Sequence, residues 1–224
     1  MTRRALSSLV ALAFVLAPGT AVAEAPSATL TRTLAPISLP APMMDGGKPL
    51  MSALKARSSA REFSADALPP QILANLLWAA WGVNRPDGRR TAPSASNRQE
   101  IEIYVTLPGG AYVWDAKANV LNPVAPGDHR AATGTQPFPA EAALNLVYVA
   151  DMTKLSRPAT DPQQMLNVGA NAGFIAQNVY LFCASEGLAT VVRALVPKEA
   201  LAKTLQLRET QVIVLAQTVG FPKK

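Results

Sequence analysis

Residues 161–187 read DPQQMLNVGANAGFIAQNVYLFCASEG, and both ends of the stretch carry helix signals. Asp161 can accept hydrogen bonds from the first free amides and Pro162 suits the first helical position. Gly187 can take the left-handed conformation that ends a helix. Between them Val168, Ala172, Ile175, Val179 and Phe182 recur at helical spacing, which predicts one buried face. Gly169, Gly173 and Ala176 make a second, nearly bare line that lets another backbone come close; packing within the chain and packing against a second copy both fit it. A helix this long in a chain of 224 residues is expected to run through the middle of the molecule.

Outward from this helix the pattern predicts an α+β fold with a mixed sheet packed against helices. Upstream, residues 49–57 read as a short helix with Leu50, Met51 and Leu54 on one face. Residues 70–81 read as a second helix with Ile72, Leu73, Leu76, Leu77 and Ala80 on its apolar side and Gly82 as its stop. Trp78 and Trp81 on that helix are expected to be packing groups. Residues 101–107 (IEIYVTL) alternate as a strand with one wet face would, Gly109 and Gly110 turn the chain into 111–115, and 119–124 complete a meander. Residues 143–150 make a buried strand ahead of the long helix. After it come a strand over 188–195, a helix over 198–205 and a last, very apolar strand over 210–219.

The N-terminus reads as an export signal. Arg3 and Arg4 precede an apolar run at 9–16 that is too short to span a bilayer, and Ala21, Val22 and Ala23 fit a signal peptidase site. Residues 1–23 are therefore expected to be removed, with the mature protein in the periplasm and not inserted in a membrane; the paired arginines suit either the general secretory or the twin-arginine route. Residues 24–48 form an extended Pro/Ala-rich arm, and 49–224 form the domain. Loss of Arg3 and Arg4 lowers the formal charge from +6 to +4. The remaining cations are dispersed among acids without an aromatic ladder, a pattern that argues against nucleic acid and for a few cations placed for a small anionic ligand.

Cys183 is the only cysteine, so the exported chain cannot form an internal disulfide, and its place beside the apolar face marks it as a small buried side chain. His129 is the only histidine and sits in a GDHR turn. Without a second histidine or a CxxC pair, neither a metal centre nor a histidine-based triad is expected.

Two stretches have the composition of a ligand site. Arg57, Ser59 and Arg61 alternate, so in an extended segment they point the same way and one anion can meet all three. Residues 84–99 form a long polar loop containing GRRTAPSASNRQ. Taken in order, the segments Arg57-x-Ser59-x-Arg61-x-Phe63, Pro93-Ser94-Ala95-Ser96-Asn97-x-Gln99, Ala176-Gln177-Asn178 with Glu186-Gly187-Leu188, and Gly220-Phe221-Pro222-Lys223 resemble the nitroreductase family of flavin enzymes. The likeness runs from about residue 39 to the end. Its LPAP arm and GRRTAPS loop look nearest the branch that includes azoline-forming (SagB-type) dehydrogenases.

The resemblance implies a mixed, mainly antiparallel sheet surrounded by helices, FMN as cofactor, NAD(P)H as an electron donor, and an intertwined homodimer with flavin at its interface. It assigns the FMN phosphate to Arg57, Ser59 and Lys223, with Lys224 as the other candidate lysine, and the pyrimidine edge of the ring to Arg61. It sets the backbone of Glu186 and Gly187 against flavin N5, brings Ser94, Ser96 and Asn97 to the ribityl chain or ring from the second chain, and counts Pro93 and Gln99 among the cofactor-binding residues. Such an enzyme passes electrons between a hydride donor and a nitroaromatic, quinone or heterocyclic acceptor, and hydride transfer itself needs no side-chain acid or base. The alternative is an exported FMN-binding protein, or a cofactor-free adapter, without turnover.

Overall fold

The computed structural model describes residues 33–224; the expected signal peptide at 1–23 and the start of the arm lie outside the described residues. The chain runs β1 (Ile37–Ser38), α1 (Leu50–Ala56), α2 (Pro70–Trp81), β2 (Ile101–Leu107), β3 (Gly110–Asp115), β4 (Val120–Pro126), α3 (Phe138–Glu141), β5 (Leu144–Asp151), α4 (Pro162–Glu186), β6 (Ala189–Arg193), α5 (Lys198–Thr204) and β7 (Gln211–Gly220). The strands form one sheet in the order β1-β4-β3-β2-β5-β7-β6. Every described ladder is antiparallel, which narrows the expected mixed, mainly antiparallel sheet. The parallel relation survives only at one remove: β5 and β6 run the same way, joined through α4, with β7 inserted antiparallel between them.

Helix α4 is 25 residues long, or about 37 Å at 1.5 Å per residue. Asp161 accepts from the amides of Gln163 at 2.8 Å and Gln164 at 3.2 Å, and Gly187 ends the helix at φ +73°. Val168, Ala172, Ile175 and Val179 are fully buried against the sheet. Burial of each valine or isoleucine there contributes about 1.5–3 kcal/mol. The fifth member of that face is Cys183, not Phe182, which is only partly buried. The bare line also divides. Ala176 faces inward, its carbonyl accepting from Gln217 Nε2 at 3.3 Å, while Gly169 and Gly173 have open space where a Cβ would stand.

Strand β2 corrects one expectation. Its alternation does not mark a wet face, because Ile101, Ile103 and Val105 pack toward α2 and α4 while Tyr104 packs with Val147, Ile213 and Leu201 on the other side. Both faces of the sheet are covered, and Thr106 is fully buried. Gly82 does follow α2, but at φ −69° it is not a left-handed stop. Its lack of a side chain matters for contact, since a Cβ would stand 2.3 Å from Trp78 Cδ1. Trp81 is buried and donates to the Ile101 carbonyl at 2.9 Å. Within the expected arm, Ile37 and Ser38 pair with β4, and the Leu39 amide bonds to the Asn119 carbonyl at 3.0 Å.

Candidate functional site

The chain leaves α1 at Arg57 in extended conformation and runs along the edge of β6. The Ala60 amide bonds to the Thr190 carbonyl at 3.0 Å, Ser64 to the Phe221 carbonyl at 2.8 Å, and Phe63 bridges Pro222. These bonds gather residues 57–64, the end of α4 and the C-terminus. Tyr180, one helical face back from Gly187, fixes the arrangement: its hydroxyl accepts from the Val192 amide at 3.0 Å and pairs with Ser59 Oγ at 2.8 Å, and the Arg57 guanidinium lies 5.4 Å from its ring centroid. Arg57 and Ser59 therefore meet on one side, as their alternation requires. Arg61 and the Lys223 side chain are exposed and have no hydrogen bond or ion pair among the described residues.

Gly187 stands at the end of this group. Its amide donates to the Cys183 carbonyl, so the helix already uses it, and Leu188 donates to the same carbonyl at 2.8 Å. Nothing lies within 4 Å of the place a Cβ would take. A cavity of about 640 Å³ opens there, lined by Phe63, Gly187, Phe221, Pro222 and Lys223. A second cavity of about 690 Å³ lies past Glu186, lined chiefly by Met43, Met44, Ile72, Trp78 and Phe182. It is roofed by the segment before α1, where Lys48 donates from its amide to Ser185 Oγ at 2.7 Å.

The other sequence-predicted group is elsewhere. Pro93, Ser94, Ser96, Asn97 and Gln99 sit in a loop with a short 3-10 turn at Ala95–Asn97, and Ser96, Asn97 and Gln99 all have positive φ, between 50° and 53°. For residues with a Cβ such conformations cost of order 1 kcal/mol or more each and persist only where neighbours enforce them. Gln99 supplies much of the enforcement: its Oε1 accepts from Arg90 Nε at 2.8 Å, its Nε2 donates to the Gly88 carbonyl and to Asn97 Oδ1, and its amide donates to Ser94 Oγ. Ser96 and Asn97 are left exposed at the tip. The loop rests on the middle of α4 through the Ala95 amide and Asn171 Oδ1, 3.2 Å apart. From Asn171 to Gly187 the helix rises about 24 Å. Within one chain the two predicted groups do not meet.

The family model that matches residues 54–221 is that of the nitroreductases. The chain belongs to the nitroreductase family. A nitroreductase-family protein of Ralstonia eutropha, solved by crystallography, shares 40% identity at a TM-score of 0.79, over 84% of this chain and 90% of that one. A nitroreductase-family protein of Methanocaldococcus jannaschii is 28% identical over 176 residues, 74% of this chain and 88% of its own. A nitroreductase-family structure from Desulfovibrio desulfuricans, in complex with FMN, shares the fold at a TM-score of 0.58 and 18% identity, over 79% of this chain and 88% of that one. As a nitroreductase-family member the chain is a flavin-dependent oxidoreductase. In this nitroreductase, sequence reasoning passed over Tyr180 and Asn171. Tyr180 carried a signal, since it falls seven residues before Gly187 on the same helical face; Asn171 carried none, because its partners are remote in sequence.

His129 lies in a surface turn with its Nε2 2.9 Å from the Pro126 carbonyl, away from both groups. Cys183 is 1% exposed, and burial pushes its thiol far up from the usual range.

Proposed function

We propose that this protein is an FMN enzyme that takes hydride from a donor of the NAD(P)H type and delivers electrons to an organic acceptor of the nitroaromatic, quinone or heterocycle class. One observation carries the reading: Arg57, Arg61 and Lys223 are exposed without an ion pair among the described residues, and the cavity beside Gly187, whose glycine leaves open space, has Lys223 in its wall. The donor set fits FMN. Arg57 and Ser59, already aligned by Tyr180, supply a cation and a hydroxyl for a phosphate, and Lys223 supplies a second cation. Bound FMN supplies a ring that accepts hydride and gives it up. Arg61 would contribute a positive charge that favours the reduced, more negative cofactor. Gly187 contributes an unobstructed wall, and because its amide already closes the helix, absence of a side chain is its main asset.

The separation of about 24 Å between the two predicted groups calls for a second copy. In a homodimer the loop of one chain can reach the α4 end of the other, so that Ser94, Ser96 and Asn97 complete the partner's flavin site. The exposed face of α4 suits such pairing: Gly169 and Gly173 are bare, and Leu166 and Phe174 are exposed apolar groups. We further propose that residues 1–23 direct export and are removed, that 24–48 serve as the arm and 49–224 as the flavin domain, and that the enzyme acts in the periplasm. No described helix is long and apolar enough to cross a membrane.

The test is anaerobic stopped-flow on the purified mature protein. Mixing with NADH or NADPH should bleach the flavin absorbance, and a quinone or nitroaromatic should restore it. Reoxidation of the dithionite-reduced protein no faster than free FMN by either acceptor class would overturn the reductase reading and leave a passive flavin carrier.

A further inference from the structure

The loop at residues 93–99 is held in a costly conformation, and the group that holds it from outside is an asparagine fixed by a buried acid. Asn171 is 3% exposed and Glu100 is fully buried. Asn171 Nδ2 donates to Glu100 Oε1 at 2.7 Å, while Asn171 Oδ1 accepts from the Ala95 amide at 3.2 Å. The second oxygen of Glu100 has no partner among the described residues. A buried carboxylate oxygen without a donor is disfavoured, so its retention needs an explanation. Turned the other way, the Asn171 amide would set its oxygen against the Glu100 carboxylate and its NH2 against the Ala95 N–H. Both contacts would be unfavourable, and the Glu100 acceptor therefore fixes the amide in one sense. The backbone of Glu100 is itself pinned, its carbonyl accepting from the Asp151 amide at 2.9 Å at the start of β2.

We infer that Asn171 and Glu100 are positioning residues that lock the loop so that Ser96 and Asn97 are presented to the flavin site of the second chain. This inference rests on the two-chain flavin reading above. The pair binds nothing itself and acts through Ala95. Asn171, on α4, is more than 70 residues from the two groups it joins, Ala95 in the loop and Glu100 just before β2. The central helix thereby sets the loop relative to the sheet.

An exchange of acceptor and donor tests the inference in the full mature chain. Asn171→Asp keeps an oxygen for Ala95 but faces Glu100 with a second carboxylate, so FMN affinity should fall about tenfold or more, and trypsin should cut the apoprotein faster after Arg98. The double variant Glu100→Gln/Asn171→Asp restores a donor opposite an acceptor. It should return affinity to within about threefold of wild type and return the cleavage rate with it. Melting temperatures of the apoproteins identify any variant that fails to fold, and the rescue by the double variant cannot arise from a general loss of stability. Unchanged affinity and unchanged cleavage in Asn171→Asp, or a double variant no better than the single, would overturn the positioning role. A wild-type chain that takes up no FMN would instead overturn the flavin reading; the cleavage rates, which need no flavin, then still decide whether Asn171 and Glu100 hold the loop.

Discussion

At the C-terminal end of α4 the cations are exposed and little committed: among the described residues Arg61 and Lys223 have no side-chain partner, and Arg57 only leans over Tyr180. The loop against the middle of the same helix is the opposite, with Gln99 making hydrogen bonds to Arg90, Gly88 and Asn97 and three residues held at positive φ. One region leaves its bonding capacity open. The other spends its bonds on shape and leaves Ser96 and Asn97 among its exposed residues. A site built from both has its binding energy at the helix end and its geometry in the loop, and substitutions in the two regions should fail in different ways.

The largest effect is expected at the helix end. Arg57→Ala should weaken FMN binding about 100-fold while leaving the apoprotein folded, because a charge-assisted phosphate contact is lost from an exposed position; titration of apoprotein by flavin fluorescence quenching measures it. Unaltered affinity would remove Arg57 from the phosphate site. Next, Phe174→Asp puts a charge on the exposed apolar face of α4 and should weaken self-association by about tenfold or more in sedimentation velocity, with FMN affinity falling alongside it. Retained dimers would show that the contact surface lies elsewhere.

Gly187→Val should cost about 1–2 kcal/mol of apoprotein stability through backbone strain at φ +73°, since the added atoms meet nothing in the chain. Its loss of FMN affinity should exceed that figure; equal losses would return Gly187 to a purely structural role. In the loop the balance reverses: Ser96→Gly relieves a positive φ and should change apoprotein stability by less than about 1 kcal/mol in chemical denaturation, while FMN binding weakens only a few-fold. Least of all should happen at Cys183, whose burial between α4 and the sheet and raised thiol pKa predict no reaction with thiol reagents at neutral pH until the protein is unfolded.

Much of the fold could be read from periodicity. The long helix, α2, β2 and β7 fall where apolar spacing and end signals put them, because each is long enough for several repeats of its period. What escaped was short or depended on distant partners. Strand β1 has two residues and α3 four, too few to show a period. The alternation in β2 was read as wet and dry faces because a one-dimensional pattern cannot announce that α5 covers the second face. Ala176 looked like a continuation of Gly169 and Gly173, and it lies within about 20° of Gly169 around the helix; it is buried because Gln217, which donates to its carbonyl, packs over that turn. For the proposed site, residue types and order pointed to Arg57, Ser59, Arg61, Gly187 and Lys223, on segments that the fold gathers near the C-terminal end of α4. The division of the remaining residues into a remote loop, and the Asn171–Glu100 link 71 positions long that secures it, are properties of tertiary structure alone.

The shared site can be tested by mixing two damaged chains, one carrying Arg57→Ala and the other Ser96→Ala with Asn97→Ala, and isolating the mixed dimer by differential tags. If each flavin site takes its cations from one chain and its loop from the other, one site in the mixed dimer carries both defects and the other carries none. FMN titration should then show one site per dimer with wild-type affinity. A mixed dimer in which no site regains wild-type affinity would contradict a flavin site built across two chains.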